Sequence, residues 1–419
     1  MRIKVLFCVC LLPMLVWGQN RKPMGAWYVD GEKVKNENRS HTSLESIEQG
    51  YSVIYATNAV DLILTELRIN KTSGGIIDNE RRKTGVNSAL LADAASRVRV
   101  ERCEVVSHAP QADGITACGE GTRITVTQGT VSTNRLASVG ISSIHGAEIV
   151  VDETHVNTFD HQSPSFYALD GGKMDINAAM GENGGQGSPL FFSGGLMTAT
   201  KCRMSSAKWT VGSVEDGMLD LTKNQLKAGG VAGFLLYSTT DNNDVRSVLN
   251  LTKNSIKVGE GPIFMVTNNN DANITVQGNS FSCKSSDLIQ VKSEEWGVKG
   301  SNGGHATLTV NKQSLSGDVF VDSISSLNIV LNKGAKLNSK INKVENRCAK
   351  VHVQMNAGSR WTSKGESYIT SITFAQPLEK GLKQLKGHHT IYYDPSDPAN
   401  APLGGKEYKT GGGKLCPLK

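Results

Sequence analysis

A group of polar residues in the first half of the chain has the side chains that acidic-polysaccharide chemistry requires. Asp152 and Glu153 are adjacent, Asp160 and His161 follow, and Arg135 precedes them. Converging carboxylates can bind a calcium ion beside a basic Arg, and paired acids can hydrolyse a glycosidic bond. The catalytic candidates are therefore Arg135, Asp160 and His161, and a polysaccharide lyase or glycoside hydrolase is one hypothesis for function.

These residues also have a simpler explanation in the local pattern of the chain. Adjacent acids on a strand, such as Asp152 and Glu153, point to opposite faces, and we expect no column of the fold to be shared by the whole group. The Gly-His-Gly and paired-Asp signatures of polygalacturonases are absent from the sequence. His388 and His389 are either metal ligands or solvated tail residues. We expect no metal and no cofactor, and we favour a protein that is not an enzyme.

The elements that must position these side chains form an internal repeat. Two apolar residues lie two positions apart and a third follows five positions later, as in Leu62, Leu64 and Ile69. The third member of each unit is an anchor, and the twelve anchors are Ile69, Val106, Val131, Val156, Met180, Met204, Leu226, Ile256, Phe281, Leu315, Leu337 and Trp361. Most anchors are 22 to 25 residues apart, which indicates coils of fixed circumference, and the longer steps predict loop insertions after Gly229 and Gly297.

This repeat predicts an all-β fold, a right-handed single-stranded parallel β-helix of about 12 coils, one for each anchor. Apolar pairs two apart mark short strands with one inward face, and the right hand follows from the preference of parallel crossovers. Ten positions before the anchors is a column of residues that tolerate tight turns. Its members are Gly121, Gly146, Asp170, Gly194, Asp216 and Asp271.

The two ends of the chain have different patterns. Arg2 and Lys4 precede an apolar run from Val5 to Trp17, which predicts a signal peptide over 1–18, with a retained anchor as the alternative. We expect an N-terminal cap over 19–60, the parallel β-helix over 61–363, and a C-terminal cap or tail over 364–419, for which a sorting signal is the alternative. The mature chain is then secreted, periplasmic or on the cell surface.

Several segments resemble secreted, pectate-lyase-like parallel β-helix proteins of the adhesin or autotransporter-passenger type. Among the matching motifs are Asn87-Ser88-Ala89-Leu90-Leu91 and Gly411-Gly412-Gly413-Lys414-Leu415, and the other stretches are 61–75, 188–192, 262–264, 296–304, 326–361, 391–394 and 403–406. The resemblance covers nearly all of the expected mature chain, and its motifs are specific to the fold. Because 58 residues follow Trp361, we expect no C-terminal membrane barrel.

Six cysteines follow the expected cleavage site, and none has metal-ligand spacing. Cys202 and Cys283 fall three coils apart, beyond the reach of a disulfide, so we expect free thiols there. Two other pairs are possible disulfides in an oxidising compartment. They are Cys103 with Cys118, and Cys348 with Cys416.

The leading interpretation is a secreted or cell-surface scaffold, adhesin-like, that binds a glycan or a protein partner. Removing Arg2 and Lys4 lowers the formal net charge from +6 to +4, with both signs interspersed, so we expect no nucleic-acid partner. Asn-rich patches at 242–243 and 268–270 either contact sugars or serve turns. A purely structural envelope protein is a third hypothesis.

Overall fold

The computed structural model describes residues 24–74, 84–240 and 246–419. The predicted signal peptide therefore lies outside the described residues. Within them the protein is all-β, and its parallel strands stack as a solenoid of about 15 turns. The helices that lie wholly within the described residues are short: an α-helix at Leu378–Leu382 and two 3-10 helices at Val344–Asn346 and Pro398–Leu403.

Most coils contribute a strand to each of three faces. Face 1 contains Asn36–Ser40, Asp61–Thr65, Arg97–Glu101, Arg123–Thr127, Glu148–Asp152, Met218–Thr222, Arg246–Thr252, Asn269–Gln277, Gly304–Asn311, Ser326–Leu331, Lys350–Met355 and Ser371–Phe374. Face 2 contains Ser43–Ser46, Arg68–Lys71, Glu104–Ser107, Thr130–Thr133, His155–Thr158, Met180–Asn183, Arg203–Ser206, Gln225–Ala228, Ser255–Val258 and Ser280–Cys283, then Ser314–Ser316, Lys336–Ser339, Arg360–Ser363 and Leu385–Lys386.

Face 3 precedes face 1 in every coil. It contains Met24–Asp30, Tyr51–Thr57, Leu90–Ala92, Ile115–Cys118, Ile141–Ile144, Gly212–Val214, Phe234–Tyr237, Phe264–Thr267, Asp287–Val291 and Asp318–Val321. Two long strands, Phe166–Asn177 and Phe191–Thr200, run from face 3 into face 1. A separate group near the C-terminus contains Ser367–Ile369, Thr390–Tyr393 and Lys414–Pro417, with Tyr408–Lys409 antiparallel to the last of them.

The inward pairs of face 1 follow the predicted repeat. Leu62 pairs in register with Val98, and Val98 with Ile124, so like residues stack along the axis. All three side chains are buried in one continuous core. Because successive residues of a strand point to opposite sides, the residues between them form rows on the outer surface.

Ten of the twelve predicted anchors contribute to this core, and two are wrong by one residue. Val105 pairs with both Ile69 and Val131 and is buried, whereas Val106 faces outward. Met180 is likewise exposed, because Gly181 takes the inward position. A Cβ on Gly181 would lie 1.9 Å from the Val156 carbonyl oxygen, so the close approach of two coils requires glycine.

The predicted turn column is correct at four of its six positions. Gly121, Gly146, Asp170 and Asp216 have φ between 50° and 82°, in the left-handed region. The other two positions, Gly194 and Asp271, lie inside strands and have no positive φ.

An amide ladder closes the corner between face 1 and face 2. Asn224, Asn254, Asn279 and Gln313 point inward on successive coils, and the side-chain oxygen of each accepts from the backbone N–H of a residue one coil before it. Asn254 Nδ2 also donates to the Leu221 carbonyl at 2.7 Å. The ladder thus satisfies buried polar groups that the turn would otherwise leave unpaired.

Coils continue into both segments that we expected to be caps, which is why the coil count exceeds twelve. Met24–Asp30 pairs in parallel with Tyr51–Thr57, and Lys350–Met355 with Ser371–Phe374. In the first coil the inward positions of face 1 hold Glu37 and Arg39, opposite Leu62 and Leu64. The Arg39 guanidinium lies 3.9 Å from the centre of the Trp27 ring, so charged groups cover this end of the core.

One lysine is fully buried near this end. Lys71 has no exposed surface, and its ammonium donates hydrogen bonds to the backbone carbonyls of Glu48 and Tyr51. Burial lowers the Lys71 pKa to about 8, because desolvation disfavours the charged form.

All six cysteines of the described residues are free thiols. This agrees with the prediction for Cys202 and Cys283. The Cys103–Cys118 and Cys348–Cys416 pairs are not bonded. Cys103 and Cys202 are buried in the column of the amide ladder, where Asn224 Oδ1 accepts the Cys202 backbone N–H at 2.7 Å.

Candidate ligand-binding face

Two of the catalytic candidates share a turn column, which the sequence did not predict. Because Thr133 pairs with Thr158, Arg135 and Asp160 lie two residues beyond, on adjacent turns after face 2. Arg135 Nε donates to the His108 carbonyl at 3.4 Å, and Asp160 Oδ1 accepts the backbone N–H of His161 at 2.7 Å. Between Arg135 and Asp160 the described structure has no ion pair.

His161 follows Asp160 in the same turn, and the two other acids of the group lie elsewhere. Asp152 Oδ1 accepts from Asn177 Nδ2 at 2.6 Å on face 1, and Glu153 Oε2 accepts from Gln128 Nε2 at 2.9 Å at the corner with face 2. No group of three acids, histidines or cysteines in 24–74, 84–240 and 246–419 could hold a metal ion. Asp152 and Glu153 thus accept hydrogen bonds from adjacent coils, Asp160 accepts one from the next residue, and the group does not converge.

A groove of about 580 Å³ lies on the outer side of face 1, near its N-terminal end. Three arginines line it on two adjacent strands: Arg97 and Arg99 on one, and Arg123 on the next. All three side chains are exposed. Asn36, Asn38 and other outward residues of the first coils line the rest of the groove.

The charges of this groove are only partly compensated. Arg123 Nη1 lies 3.0 Å from Glu148 Oε2, which also contacts Lys173 through its other oxygen at 3.5 Å. Arg97 and Arg99 have no ion pair and no side-chain hydrogen bond with any described residue. Arg97 pairs in register with Arg123 on one side and with the exposed Asp61 on the other. It therefore has one like charge and one carboxylate as direct neighbours, and it forms no ion pair with that carboxylate.

Face 1 continues beyond the groove as an apolar stripe and a field of mostly uncharged polar residues, in which Asp175 and Asp220 are the acids of the Thr198 row. Leu196, Met218 and Val248 follow each other in register with outward side chains. Their neighbours on the same face include Thr198, Thr200, Thr222, Asn250, Thr252, Asn273 and Thr275. From the Arg97 rung to the Val248 rung are six coil spacings, about 29 Å at roughly 4.8 Å each.

No family model, curated protein or solved structure matches the chain. The resemblance to adhesin-type β-helix proteins therefore stays an expectation.

Sequence reasoning missed the arginine groove, although its signal was present. In the segment 97–100 cations alternate with the inward valines, so the predicted frame already places Arg97 and Arg99 on the outer surface. The missing information was the set of cross-coil neighbours, which determines whether an exposed cation has a partner.

The Asn-rich patches and the long loops have structural roles where they are described. Asn268 Nδ2 donates to the Ser238 carbonyl at 2.8 Å, and Asn269 Nδ2 to Ser247 Oγ at 2.8 Å. Residues 242–243 lie outside the described residues. The insertion expected after Gly229 lies instead between Tyr237 and Arg246, because the segment after Gly229 has the same length as its neighbours. The insertion that contains Gly297 is at the predicted place.

The other notable surface feature is near the C-terminus. His388 lines a groove of about 440 Å³ with Lys409 and Lys414, and the Lys414 ammonium pairs with Glu407 at 2.7 Å. Within the described chain, no helix has the length and apolar character needed to cross a membrane.

Proposed function

We propose that this protein is a secreted or cell-surface scaffold that binds an extended acidic glycan along the outer side of face 1. The observation that carries the proposal is the groove in which Arg97 and Arg99 are exposed and unpaired. A guanidinium presents parallel N–H donors that match a carboxylate or sulfate. The arginines of the groove thus bind the charged groups of the glycan, and the rest of face 1 contacts further sugar units along the chain.

The surface beyond the groove suits the uncharged part of such a ligand. Sugar rings have an apolar side and a rim of hydroxyl groups. The outward side chains of Leu196, Met218 and Val248 offer apolar contact, and the threonines and asparagines beside them offer donors and acceptors for hydroxyls. A straight, regular surface of this kind favours an extended chain over a compact ligand.

We favour binding over cleavage because the candidate acids already accept hydrogen bonds from other groups of the protein. A lyase needs a base near the sugar proton and cations or carboxylates around the same ring. In this protein the Asp152 carboxylate accepts a hydrogen bond from the Asn177 side chain, and the Asp160 carboxylate accepts one from the backbone N–H of His161. The arginine groove lies on a different face from Arg135 and Asp160.

The test is a binding titration with a panel of uronate, sulfated and neutral oligosaccharides, run beside a depolymerisation assay on the same panel. The double variant Arg97→Ala/Arg99→Ala should weaken binding of the acidic members by about 10- to 100-fold, which corresponds to one charged hydrogen bond of about 1.5 to 3 kcal/mol. Arg68→Ala is the matched control, since Arg68 is an exposed arginine on face 2 paired with Glu104 at 3.4 Å.

Three results would contradict the proposal. One is equal loss of affinity in the control and the double variant, and another is a preference for neutral members of the panel. Cleavage of a uronate polymer that is abolished by Arg135→Ala or Asp160→Ala would instead support the lyase hypothesis. Export is tested separately, by N-terminal sequencing of protein recovered outside the cytoplasm, where we expect the chain to begin at Gln19.

A further inference from the structure

A second basic surface lies at the corner between face 1 and face 2 and is separate from the arginine groove. It is built on three consecutive coils, with one lysine of each coil at the turn and further cations on face 2. We call it the basic corner, and its residues are Lys201, Lys223, Lys253, Arg203, Lys227 and Lys257.

Five of the six cations of the basic corner stack in two rows, and the sixth, Arg203, pairs in register with Gln225. The Lys223 backbone N–H donates to the Thr252 carbonyl, the residue before Lys253, so the two turn lysines occupy the same place on adjacent coils. Lys227 pairs in register with Lys257 on face 2. All six side chains are exposed, and none has an ion pair with any residue of the described ranges.

The same corner is charge-balanced in the N-terminal coils. There the equivalent turn positions hold Glu66, Arg102, Gln128 and Glu153. Arg102 Nε lies 2.9 Å from Glu66 Oε1, and Arg68 Nε on face 2 lies 3.4 Å from Glu104 Oε2. One column of one fold therefore changes from paired charges to uncompensated lysines partway along the rod.

Folding does not account for this change. Like charges directly opposite each other destabilise a sheet, and Lys227 and Lys257 are such a pair. The turn lysines have φ of 56° to 59°, a left-handed conformation that glycine adopts without strain. Gly278, the next residue in the column, has φ of 66°. Similar φ values of 46° to 56° occur in the same column at Glu66, Arg102, Gln128 and Glu153. The backbone therefore does not select lysine at these turns, and the charge of the lysines is available for binding.

We propose that the basic corner docks the rod on an anionic lipid surface, with the long axis parallel to the bilayer. The cations form a two-dimensional array on a convex corner and the adjoining flat face. A linear polyanion would follow a single row or groove, whereas a broad anionic surface meets the whole array at once. Each lysine near such a surface contributes about 1 kcal/mol, about fivefold in affinity, and the attraction decreases within a Debye length.

The experiment is vesicle co-sedimentation of the mature protein with phosphatidylcholine alone and with phosphatidylcholine containing phosphatidylglycerol. We expect binding to the anionic vesicles only, weakening as salt is raised. Lys223→Gln/Lys253→Gln should reduce partitioning by about 25-fold, at about fivefold per lysine. Arg68→Gln/Arg102→Gln removes the same charge from the balanced part of the corner and should change partitioning by less than about twofold, since these cations are already paired.

Each alternative outcome is informative. Equal binding to both vesicle types, or wild-type binding by the lysine variant, would overturn the proposal. Tight binding to soluble heparin without binding to vesicles would identify a linear polyanion as the ligand instead. Arg97→Ala/Arg99→Ala should retain vesicle binding, which separates this inference from the glycan proposal, so that either can fail alone.

Discussion

Replacing Asn254 with alanine tests the amide ladder at the corner between face 1 and face 2. The Asn254 side chain is 2% exposed. Its oxygen accepts from the backbone N–H and the side-chain amide of Asn224, at 2.9 and 3.0 Å. Its amide group donates to the Leu221 carbonyl at 2.7 Å and to Asn279 Oδ1 at 3.0 Å. Alanine keeps the backbone of this turn and removes all four hydrogen bonds.

The expected loss is large because a backbone donor is left buried and unpaired. The Asn224 N–H loses its acceptor, which costs about 1 to 3 kcal/mol, and the other three hydrogen bonds contribute about 1 kcal/mol each. Some of this is recovered as the coil relaxes, so we expect the free energy of unfolding to fall by about 4 kcal/mol. Because each coil contacts only its neighbours, the damage should spread to the adjacent coils first.

Urea unfolding followed by circular dichroism measures the loss, and amide hydrogen exchange shows where it occurs. Asn250→Ala is the matched control, since Asn250 lies outward on the face 1 strand just before this corner and its side chain makes no hydrogen bond in the described structure. It should change stability by less than about 0.5 kcal/mol. Equal losses in the two variants, or exchange that accelerates only at the ends of the rod, would refute the ladder argument.

Three further predictions concern the core frame, pH and thiols. Val105→Asp should destabilise the protein by about 3 kcal/mol or more, because it buries a charge, whereas Val106→Asp should have little effect. Equal urea midpoints for the two variants would contradict the assignment of Val105 to the inward position. The Lys71 pKa of about 8 lies below its unfolded value, so the unfolded state binds more protons between them. Wild-type stability relative to Lys71→Met should therefore rise by about 3 kcal/mol from pH 8 to 10.5, and parallel pH profiles would exclude this. Cys202 and Cys283 should both titrate as free thiols in denaturant without reductant, and an intramolecular disulfide at either would be contrary evidence.

The core of the fold was predictable because a buried position on a strand restricts residue type. Inward pairs such as Leu62 and Leu64 are apolar in nearly every coil, and their spacing is set by the circumference of the coil. The two errors had one cause: at Val106 and Met180 an apolar residue stands beside the inward position. Apolarity alone does not identify a face, and Gly181 carries no apolar signal, since the contact with Val156 requires it to have no side chain.

The candidate sites could be predicted only in part, because they depend on neighbours about 25 residues away in sequence. The frame places Arg97, Lys227 and Lys257 on the outer surface. It does not reveal that Lys227 and Lys257 stack without an acid between them, whereas Arg102 is paired with Glu66. Loop insertions shift the alignment of successive coils, so these partners become known only when the register is known.

A parallel solenoid places like residues above one another on successive coils. The effect on stability depends on whether such a ladder points into the core or out to the surface. Inside the corner, stacked amides such as Asn224 and Asn254 satisfy one another, so the fold itself explains why they repeat. Outside, stacked cations such as Lys227 and Lys257 repel one another and satisfy nothing in the described structure. A ladder that lowers the free energy of the fold needs no ligand. One that raises it is what we expect where a partner supplies the missing charge, and this distinction is the reason for proposing ligands for the arginine groove and the basic corner.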